Sequence, residues 1–330
     1  PAVTNKANRG DFFMLKYIVK RLLIAIPVFI GITILVYAMS ANAPGDPVRM
    51  ALNNPDATEA DMERLREEWG LNDPIIVQYF NWTKDLLKGD MGESYRTGRP
   101  VAEMISERIG PTLMITVSSV VLALLIAIPS GILAAYKPYS LWDYIASGVS
   151  FLGAATPAFF AALVALYVFS VKLKWLPTGG MYGTDGVRTF GILIVHMILP
   201  VVTLALAQIG SYIRQVRSSV LEVLGEDYVR TARSKGLHEP AVVLKHTLRN
   251  ALMPIVTLVG MQIPFLVGGA VVTEQIFGWP GIGSLMVYSI TARDYPVIMG
   301  ISAMIGLAVL VTNVALDVIY AFLDPRIRVQ

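Results

Sequence analysis

Residues 109–136 read IGPTLMITVSSVVLALLIAIPSGILAAY, a run of 28 residues without Asp, Glu, Lys or Arg. A helix needs about 20 predominantly apolar residues to cross a bilayer, and one charge at its centre costs roughly 2.5–3.5 kcal/mol on the insertion scale. The run therefore predicts a helix that crosses a membrane.

Five further windows lack these four residue types and are long enough to cross a bilayer. They are Leu22–Met39, Tyr144–Val171, Thr189–Ile213, Asn250–Thr273 and Tyr295–Leu316. The sequence thus predicts an all-α membrane protein with six transmembrane helices. A seventh uncharged window, Gln275–Ala292, is rich in Gly and Pro, and such a stretch cannot satisfy its backbone hydrogen bonds in lipid unless protein surrounds it. We interpret this window as a surface or re-entrant loop.

The first window resembles a secretory signal peptide, because Lys20 and Arg21 directly precede it. No small-residue cleavage site of the A-x-A type follows, and Pro44 is poorly placed for processing. We therefore interpret residues 14–39 as an N-terminal segment with a retained first transmembrane helix. Residues 1–13 are polar and aperiodic, which predicts a disordered extension or a remnant left from expression.

The composition supports the membrane class and argues against others. Of the 330 residues, 55% are hydrophobic and 15% charged, whereas a soluble domain carries about a quarter charged residues. The chain has no cysteine, which excludes disulfides and thiolate metal sites, and its three histidines are scattered. A formal net charge of +3 does not by itself indicate a nucleic-acid partner. We therefore expect neither a metal site nor a nucleic-acid partner.

Positive charge is distributed unevenly among the predicted loops. Segment Arg214–Arg249 holds seven Lys and Arg residues, whereas Lys172–Arg188 and Glu274–Asp294 hold three and one. Short loops rich in Lys and Arg stay on the cytoplasmic side of a membrane. The bias therefore predicts a multi-pass protein with both termini in the cytoplasm.

The 71 residues Ser40–Gly110, between the first two windows, carry 13 acidic and 8 basic side chains. Thr58-Glu-Ala-Asp61 resembles a capping box at the start of a helix. The pattern predicts helices over Glu59–Trp69, from Pro74 to Gly89, and over Val101–Ile109. We expect a helical extracytoplasmic insertion over residues 40–110. Two interpretations of it stay open, namely amphipathic helices on the outer membrane surface or a docking platform for an extracellular partner.

The inner segment 214–249 contains the most distinctive local pattern. The motif Ser219-x-x-Glu222 is spaced to cap a turn, and Glu226–Lys235 is expected to form a short charged helix that ends at Gly236. Glu226, the first residue of this helix, is spaced for an i,i+4 ion pair with Arg230. Such a helix can be gripped by a cytoplasmic protein or can rest on anionic lipid headgroups, and the residues alone leave both open.

The stretch Glu226-Asp-Tyr-Val-Arg-Thr-Ala-Arg-Ser-Lys-Gly236-Leu resembles the cytoplasmic loop of binding-protein-dependent ABC importer permeases. More narrowly, it is similar to the dipeptide, oligopeptide and nickel permease family, and the similarity covers about residues 14–328. The other matching motifs are Arg21-Leu-Leu…Pro27…Gly31-Ile-Thr33, Pro44-Gly-Asp-Pro47, Lys245-His-Thr-Leu-Arg-Asn-Ala-Leu-Met-Pro254, Thr273-Glu…Phe277-Gly-Trp-Pro-Gly-Ile-Gly283, Arg293-Asp-Tyr-Pro296 and Asp324-Pro-Arg326. The general importer pattern has Glu-Ala-Ala where this sequence has Arg230-Thr231-Ala232.

The resemblance implies a type I importer permease fold, with a permease core over residues 111–330, in a bacterial or archaeal cytoplasmic membrane. The implied partners are a homologous second permease, two ATPase subunits, an extracytoplasmic substrate-binding protein and membrane lipid. Peptides are the implied substrate, and nickel chelates, glutathione or another small solute are the alternatives. The implied ATPase-coupling residues are Glu226, Asp227, Tyr228, Arg230, Thr231, Ala232, Arg233, Lys235 and Gly236.

The chain itself lacks the means to use ATP by the usual phosphate loop. It contains no Gly-Lys dipeptide, so the Gly-x4-Gly-Lys motif is absent. No catalytic constellation stands out either. We therefore expect a non-catalytic subunit without a cofactor of its own, and ATP with Mg at the partner ATPases.

A smaller set of residues is a candidate for the outer gate or the translocation pathway. Asp46 belongs to a turn that ends the first span, Phe277 and Trp279 belong to the Gly-rich loop, and Glu274 lies just past the fifth span. Gln208, a polar residue in an apolar window, is the last candidate of this set. The alternative for Gln208, as for His196 in the same window, is an interhelical hydrogen bond, which such side chains form more often than they bind ligands.

A remote alternative is a secondary transporter driven by an ion gradient. Such a protein is expected to carry ionisable residues within its spans. All six windows lack Asp, Glu, Lys and Arg, and the sequence has no clear inverted repeat. The residues thus favour an ATP-driven importer.

Overall fold

The computed structural model describes residues 4–52, 58–183, 186–242, 247–268 and 270–323, which are nearly all helical. An isolated antiparallel bridge joins Glu93 to Pro100. The helices are α1 (Thr4–Ala41), α2 (Pro47–Leu52), α3 (Glu59–Glu68), α4 (Ile75–Leu86), α5 (Val101–Tyr136), α6 (Leu141–Ala155), α7 (Ala158–Ala165) with a π-helix (Leu166–Lys172), α8 (Phe190–Leu224), α9 (Asp227–Ser234), α10 (Glu239–Ala241), α11 (Leu248–Ala251), α12 (Met253–Met261), α13 (Ile263–Gly268), α14 (Val271–Ile276), α15 (Ile282–Ala292) and α16 (Tyr295–Leu323). Part of the Lys245–Pro254 motif and the motif Asp324-Pro-Arg326 lie outside the described residues.

Within these ranges, four helices are long and apolar enough to cross a membrane. They are Leu23–Ala41 of α1, all of α5, all of α8 and Tyr295–Leu316 of α16. The third predicted span is bent by 99° between Leu141–Gly153 and Ala158–Lys172, so five spans result if the bent pair counts as one. Pro157 lies at this bend, where it caps α7 and has no N–H to continue the preceding helix. The predicted number of six is therefore not reached as continuous helices.

The predicted fifth span, Asn250–Thr273, is divided among the short helices α11 to α14. Pro254 and Pro264 are each the second residue of a new helix. Proline is tolerated in a first helical turn but interrupts the hydrogen bonds of a helix interior. A window free of charge therefore did not imply one continuous helix.

Three other boundaries differ from the expectation. For residues 1–13 we predicted a disordered extension or a remnant left from expression. Residues 4–13 are helical instead of disordered, since α1 begins at Thr4 and continues without a break into the first span. We predicted a loop over 275–292, but the loop is short and α15 occupies its second half. The third predicted insertion helix, Val101–Ile109, is likewise the start of α5 and not a separate element.

The chain divides into two compact units. The first comprises Pro1–Ile109 and Leu285–Gln330, and in it α1 packs along α16. Its insertion has the predicted helix starts. Thr58 and Asp61 form a complete capping box at α3, and Pro74 caps α4.

The second unit comprises Gly110–Ser284 and contains α6 packed closely on α8. The close approach depends on Gly210, since a Cβ at this position would lie 2.7 Å from the carbonyl oxygen of Ser150. Small residues allow helix backbones to approach in this way in membranes. The helices α6 and α8 are therefore in close contact.

Candidate functional sites

The helix α9 carries the residues predicted to couple to an ATPase. It spans Asp227–Ser234, with Glu226 at its N-cap and Lys235 at its C-cap, close to the predicted bounds. Gly236 follows with φ of +78°, a left-handed conformation that favours glycine and ends a helix.

One side of α9 is apolar and buried within the second unit. Val229 and Ala232 form a small buried cluster with Val242, and Val223 and Leu224 at the end of α8 pack against it. Ala232, predicted as a coupling residue, is therefore a packing residue that holds α9 on α8. The other predicted coupling residues are exposed, namely Glu226, Asp227, Tyr228, Arg230, Thr231, Arg233, Lys235 and Gly236.

The charges on the exposed side of α9 are arranged differently from the prediction. Arg230 pairs with Asp227 at 3.7 Å, in place of the predicted partner Glu226. These two side chains are 71% and 98% exposed, so the ion pair contributes little to stability. Arg233 donates a 2.9 Å hydrogen bond to Glu239, which the sequence did not single out. Together these groups form a charged surface on the exposed side of α9.

The predicted cap at Ser219 is wrong, because α8 continues through Ser219 to Leu224 without interruption. Ser219 is buried and accepts a hydrogen bond from Gln215. Gly225 ends the helix. The apolar span of α8 and the support of α9 are therefore one helix of 35 residues.

An ion pair that the sequence did not suggest joins α8 to α6. Arg217 donates from Nε and Nη2 to the carboxylate of Asp143 at 2.7 and 2.9 Å. Asp143 is buried and also accepts a hydrogen bond from the backbone N–H of Tyr139. Arg214 adds a 3.0 Å hydrogen bond to the carbonyl oxygen of Ser150. These contacts fix α6 on α8 about two to three turns before α8 ends at Leu224.

We expect Arg217→Lys to loosen this connection by about 1 kcal/mol, because lysine cannot reproduce the bidentate geometry of the guanidinium. The measurement is the thermal unfolding midpoint of the purified protein in detergent. The matched control is Arg188→Lys, which changes an exposed arginine in the same unit. Equal midpoints for the two variants would contradict the assigned role of Arg217.

Glu274, a pathway candidate, lies buried inside the second unit. Its carboxylate accepts a 2.8 Å hydrogen bond from the hydroxyl of Thr112 and another of 2.8 Å from the backbone N–H of Ser284. Gly281 lies directly against the same carboxylate. Glu274 thus holds the Gly-rich loop on α5, which is a structural task.

Phe277 and Trp279, the predicted gate residues of this loop, are also buried. The indole N–H of Trp279 donates to the carbonyl oxygen of Pro111 at 2.8 Å. The carbonyl oxygen of Phe277 accepts a 2.7 Å hydrogen bond from the N–H of Gly180. The loop is therefore a packed element, and the structure gives these side chains no free surface.

Gln208 and His196 form hydrogen bonds, as expected for polar residues in an apolar helix. Gln208 donates to the hydroxyl of Ser119 on α5 at 3.4 Å and accepts from the hydroxyl of Tyr212 at 2.9 Å. His196 Nδ1 lies 3.0 Å from the carbonyl oxygen of Gly180 in a loop. Gln208 thus forms the expected interhelical hydrogen bond, between α8 and α5. His196 instead connects α8 to the loop that contains Gly180.

In the first unit, Asp46 pairs with Arg66 and accepts a hydrogen bond from the N–H of Val48 at 3.0 Å. It lies on the wall of a cavity of about 1000 Å³. The walls carry five carboxylates and one guanidinium, from Asp46, Glu68, Asp73, Asp85, Glu93 and Arg66. Trp69 and Tyr95 stack in the wall with ring centroids 4.0 Å apart. The cavity is thus acidic and aromatic.

Two distant sequence motifs meet near this cavity. Arg293 donates a 2.7 Å hydrogen bond to the carbonyl oxygen of Pro44 and lies where a side chain on Gly45 would project. Asp294 is buried and accepts hydrogen bonds from the hydroxyl of Ser94 and the N–H of Tyr95.

Burial raises the pKa of Asp294, while these hydrogen bonds act in the opposite direction. Burial also raises the pKa of Tyr95.

The nearly all-helical structure, with several apolar helices of membrane length, defines a multi-pass membrane protein. The chain belongs to the family of binding-protein-dependent transport system inner membrane components, whose model matches residues 127–329. The model of the N-terminal part of such membrane components matches residues 14–118. The predicted family is thereby confirmed, and with it the type I importer permease fold and the permease role in an ABC importer.

Relatives that match nearly the whole chain include an oligopeptide permease and a glutathione permease. The oligopeptide transport system permease protein AppB of Bacillus subtilis is 45% identical over 316 residues, which cover 96% of this chain and 100% of AppB. The glutathione transport system permease protein GsiC of Escherichia coli K12 is 40% identical over 315 residues, which cover 96% of this chain and 99% of GsiC.

Proposed function

We propose that this chain is a permease subunit of an ATP-driven importer that takes up peptides. The single observation that carries the coupling role is the division of α9 into a buried apolar side and an exposed charged side. Val229 and Ala232 hold α9 on the end of α8, while Asp227 and Arg230 face outward. Such a helix is suited to be held by another subunit and to pass its movement on.

The proposed partners are a homologous second permease, two ATPase subunits and an extracytoplasmic binding protein, in a bacterial or archaeal cytoplasmic membrane with both termini inside. ATP and Mg belong to the ATPase subunits, and this chain performs no covalent chemistry. The insertion over residues 40–110 is the proposed contact of the binding protein. The cavity in its described part, with acidic and aromatic walls, supports this assignment.

We infer the path by which a movement of α9 reaches the spanning helices, and all elements of this path belong to the second unit. A displacement of α9 acts first on Val223 and Leu224, which pack against its buried side. These are the last two residues of α8, so the displacement passes into a span without a break. The Arg217–Asp143 ion pair then carries it to α6. Coupling of this kind needs a contiguous set of packed elements, which these residues provide.

Peptides are the proposed substrate because AppB, at 45% identity, is an oligopeptide permease. Glutathione, the substrate named for GsiC, is itself a small peptide and is the first alternative. Nickel chelates or another small solute remain the further alternatives. No described residue group is arranged to hold a metal ion.

The test is reconstitution of the complete complex in proteoliposomes with ATP inside or outside. We expect ATP-dependent accumulation of a labelled peptide from a panel of two to five residues, and loss of accumulation without the binding protein. Glutathione and a nickel–histidine chelate are measured in parallel. Uptake that persists without any ATPase subunit, and collapses with an ionophore, would contradict the proposal.

A further inference from the structure

The short helix α4 of the insertion, together with its C-cap residue Leu87, has an exposed apolar stripe. Ile76, Phe80 and Leu87 are 81%, 69% and 84% exposed. At 3.6 residues per turn, the three positions fall within about 40° of the helix circumference. A large apolar stripe of this kind on a protein surface usually marks a site of contact with lipid or protein.

The opposite side of α4 is fixed on α1, inside the first unit. The hydroxyls of Tyr79 and Thr33 lie 2.9 Å apart, and the hydroxyl of Tyr37 donates to the side-chain oxygen of Gln78 at 3.0 Å. Tyr37 also packs edge-on against Tyr79. The position of α4 along the spanning helix α1 is therefore well defined.

This position lies near one end of the candidate membrane span Leu23–Ala41. The helix α1 ends at Ala41, so at a rise of 1.5 Å per residue Tyr37 and Thr33 lie about 6 and 12 Å inside that end. Amphipathic helices in an interface bury their apolar side roughly 5–10 Å into the boundary of headgroups and acyl chains. Tyr37, Tyr79 and Trp82 form a cluster of the aromatic type that is enriched at this level.

The same level of α1 also carries exposed apolar residues. Leu35 and Met39 lie on the side of α1 away from Thr33 and Tyr37, and both are exposed, as expected for a spanning helix in contact with lipid. Lys84 is exposed at the edge of the stripe, where its long side chain reaches toward headgroup phosphates. The helix α3, by contrast, has seven charged residues among its ten and no large exposed apolar side chain.

We propose that α4 lies in the lipid interface of the membrane, with Ile76, Phe80 and Leu87 against acyl chains and Lys84 at the headgroups. The insertion is thereby anchored to the membrane by a second element besides α1. Only the assignment of α4 to the outer leaflet rests on the proposed orientation of the chain, and nothing here depends on the substrate.

The experiment uses the natural absence of cysteine. Single variants Ile76→Cys, Phe80→Cys and Leu87→Cys carry a nitroxide label, and the assembled complex is placed in lipid nanodiscs. Electron paramagnetic resonance then measures collisions with oxygen, which concentrates in lipid, and with a nickel chelate, which stays in water. Leu35→Cys is the lipid control, and Glu59→Cys on α3 is the water control.

We expect the oxygen-to-nickel ratio at positions 76, 80 and 87 to match that at position 35 and to exceed that at position 59 several-fold. A ratio equal to that at position 59 would overturn the proposal, because the stripe would then face water. Low accessibility to both reagents would also overturn it, because another subunit would then cover the stripe. Three labelled positions keep the test decisive if one variant fails to assemble.

Discussion

Gly281→Ala is expected to destabilise the protein by about 3 kcal/mol or more, because the new methyl group takes the space of a hydrogen-bonded carboxylate. A Cβ at Gly281 would overlap the carboxylate of Glu274. Glu274 cannot move away at small cost, since it is buried and bound to Thr112 and Ser284. Displacing it breaks both hydrogen bonds, the one from the buried hydroxyl of Thr112 and the one from the part-buried N–H of Ser284.

The consequence extends to the whole Gly-rich loop. The hydroxyl of Thr112 that donates to Glu274 also accepts a 2.8 Å hydrogen bond from the N–H of Ile282, at the start of α15. Trp279 is bound one residue away, at Pro111. A displaced Glu274 therefore releases the loop from α5, and we expect the variant to accumulate poorly in the membrane.

The measurements are the amount of full-length protein in the membrane fraction and the unfolding midpoint in detergent. Gly148→Ala on α6 is the matched control, because a Cβ at this glycine meets no neighbouring atom, and alanine is the better helix former. In a Glu274→Ala background, the same Gly281→Ala change should cost much less, because the overlap is then absent. Equal stability of Gly281→Ala and Gly148→Ala would show that the assigned clash is wrong.

The sequence predicted those features that depend on neighbouring residues. Charge-free runs located α5 and α8, the Thr58–Asp61 spacing located the start of α3, and the glycine at 236 located the end of α9. Each of these signals is local, since it follows from hydropathy, side-chain capping or the conformational freedom of glycine. The family followed from several such motifs taken together.

Features that depend on distant residues were not predictable in the same way. The sequence gives no reason to pair Asp143 with Arg217, or Arg293 with Pro44, because these groups meet only after the helices have packed. Glu274 was a pathway candidate because it follows an apolar run. The residues next to it in the sequence do not indicate that it is buried against Thr112. Pro254 and Pro264 indicated the division of the fifth window into several helices. The prediction of one continuous span was based on the absence of charged residues and did not take these prolines into account.

The second large effect is expected at the exposed side of α9. Arg230→Glu should abolish stimulation of the ATPase by the binding protein and its substrate, while the chain still folds. Arg230 is 71% exposed, and its described ion pair is with Asp227 at 3.7 Å, so its reversal costs the fold little. If Arg230 contacts the ATPase, reversing its charge at the interface costs about 2 kcal/mol or more, which is roughly a thirtyfold loss of docking affinity.

The measurement is the ATPase rate of the reconstituted complex with and without binding protein and peptide, together with the amount of ATPase that copurifies. The control Lys88→Glu reverses the charge of a similarly exposed lysine in the insertion and should leave copurification unchanged. Val229→Asp, which places a charge in the buried cluster under α9, should reduce coupling through loss of local packing, and its unfolding midpoint should fall. Arg230→Glu should instead keep the midpoint of the unmodified protein. If Arg230→Glu retains full stimulation and copurification, the exposed side of α9 does not bind the ATPase, and lipid headgroups become its partner.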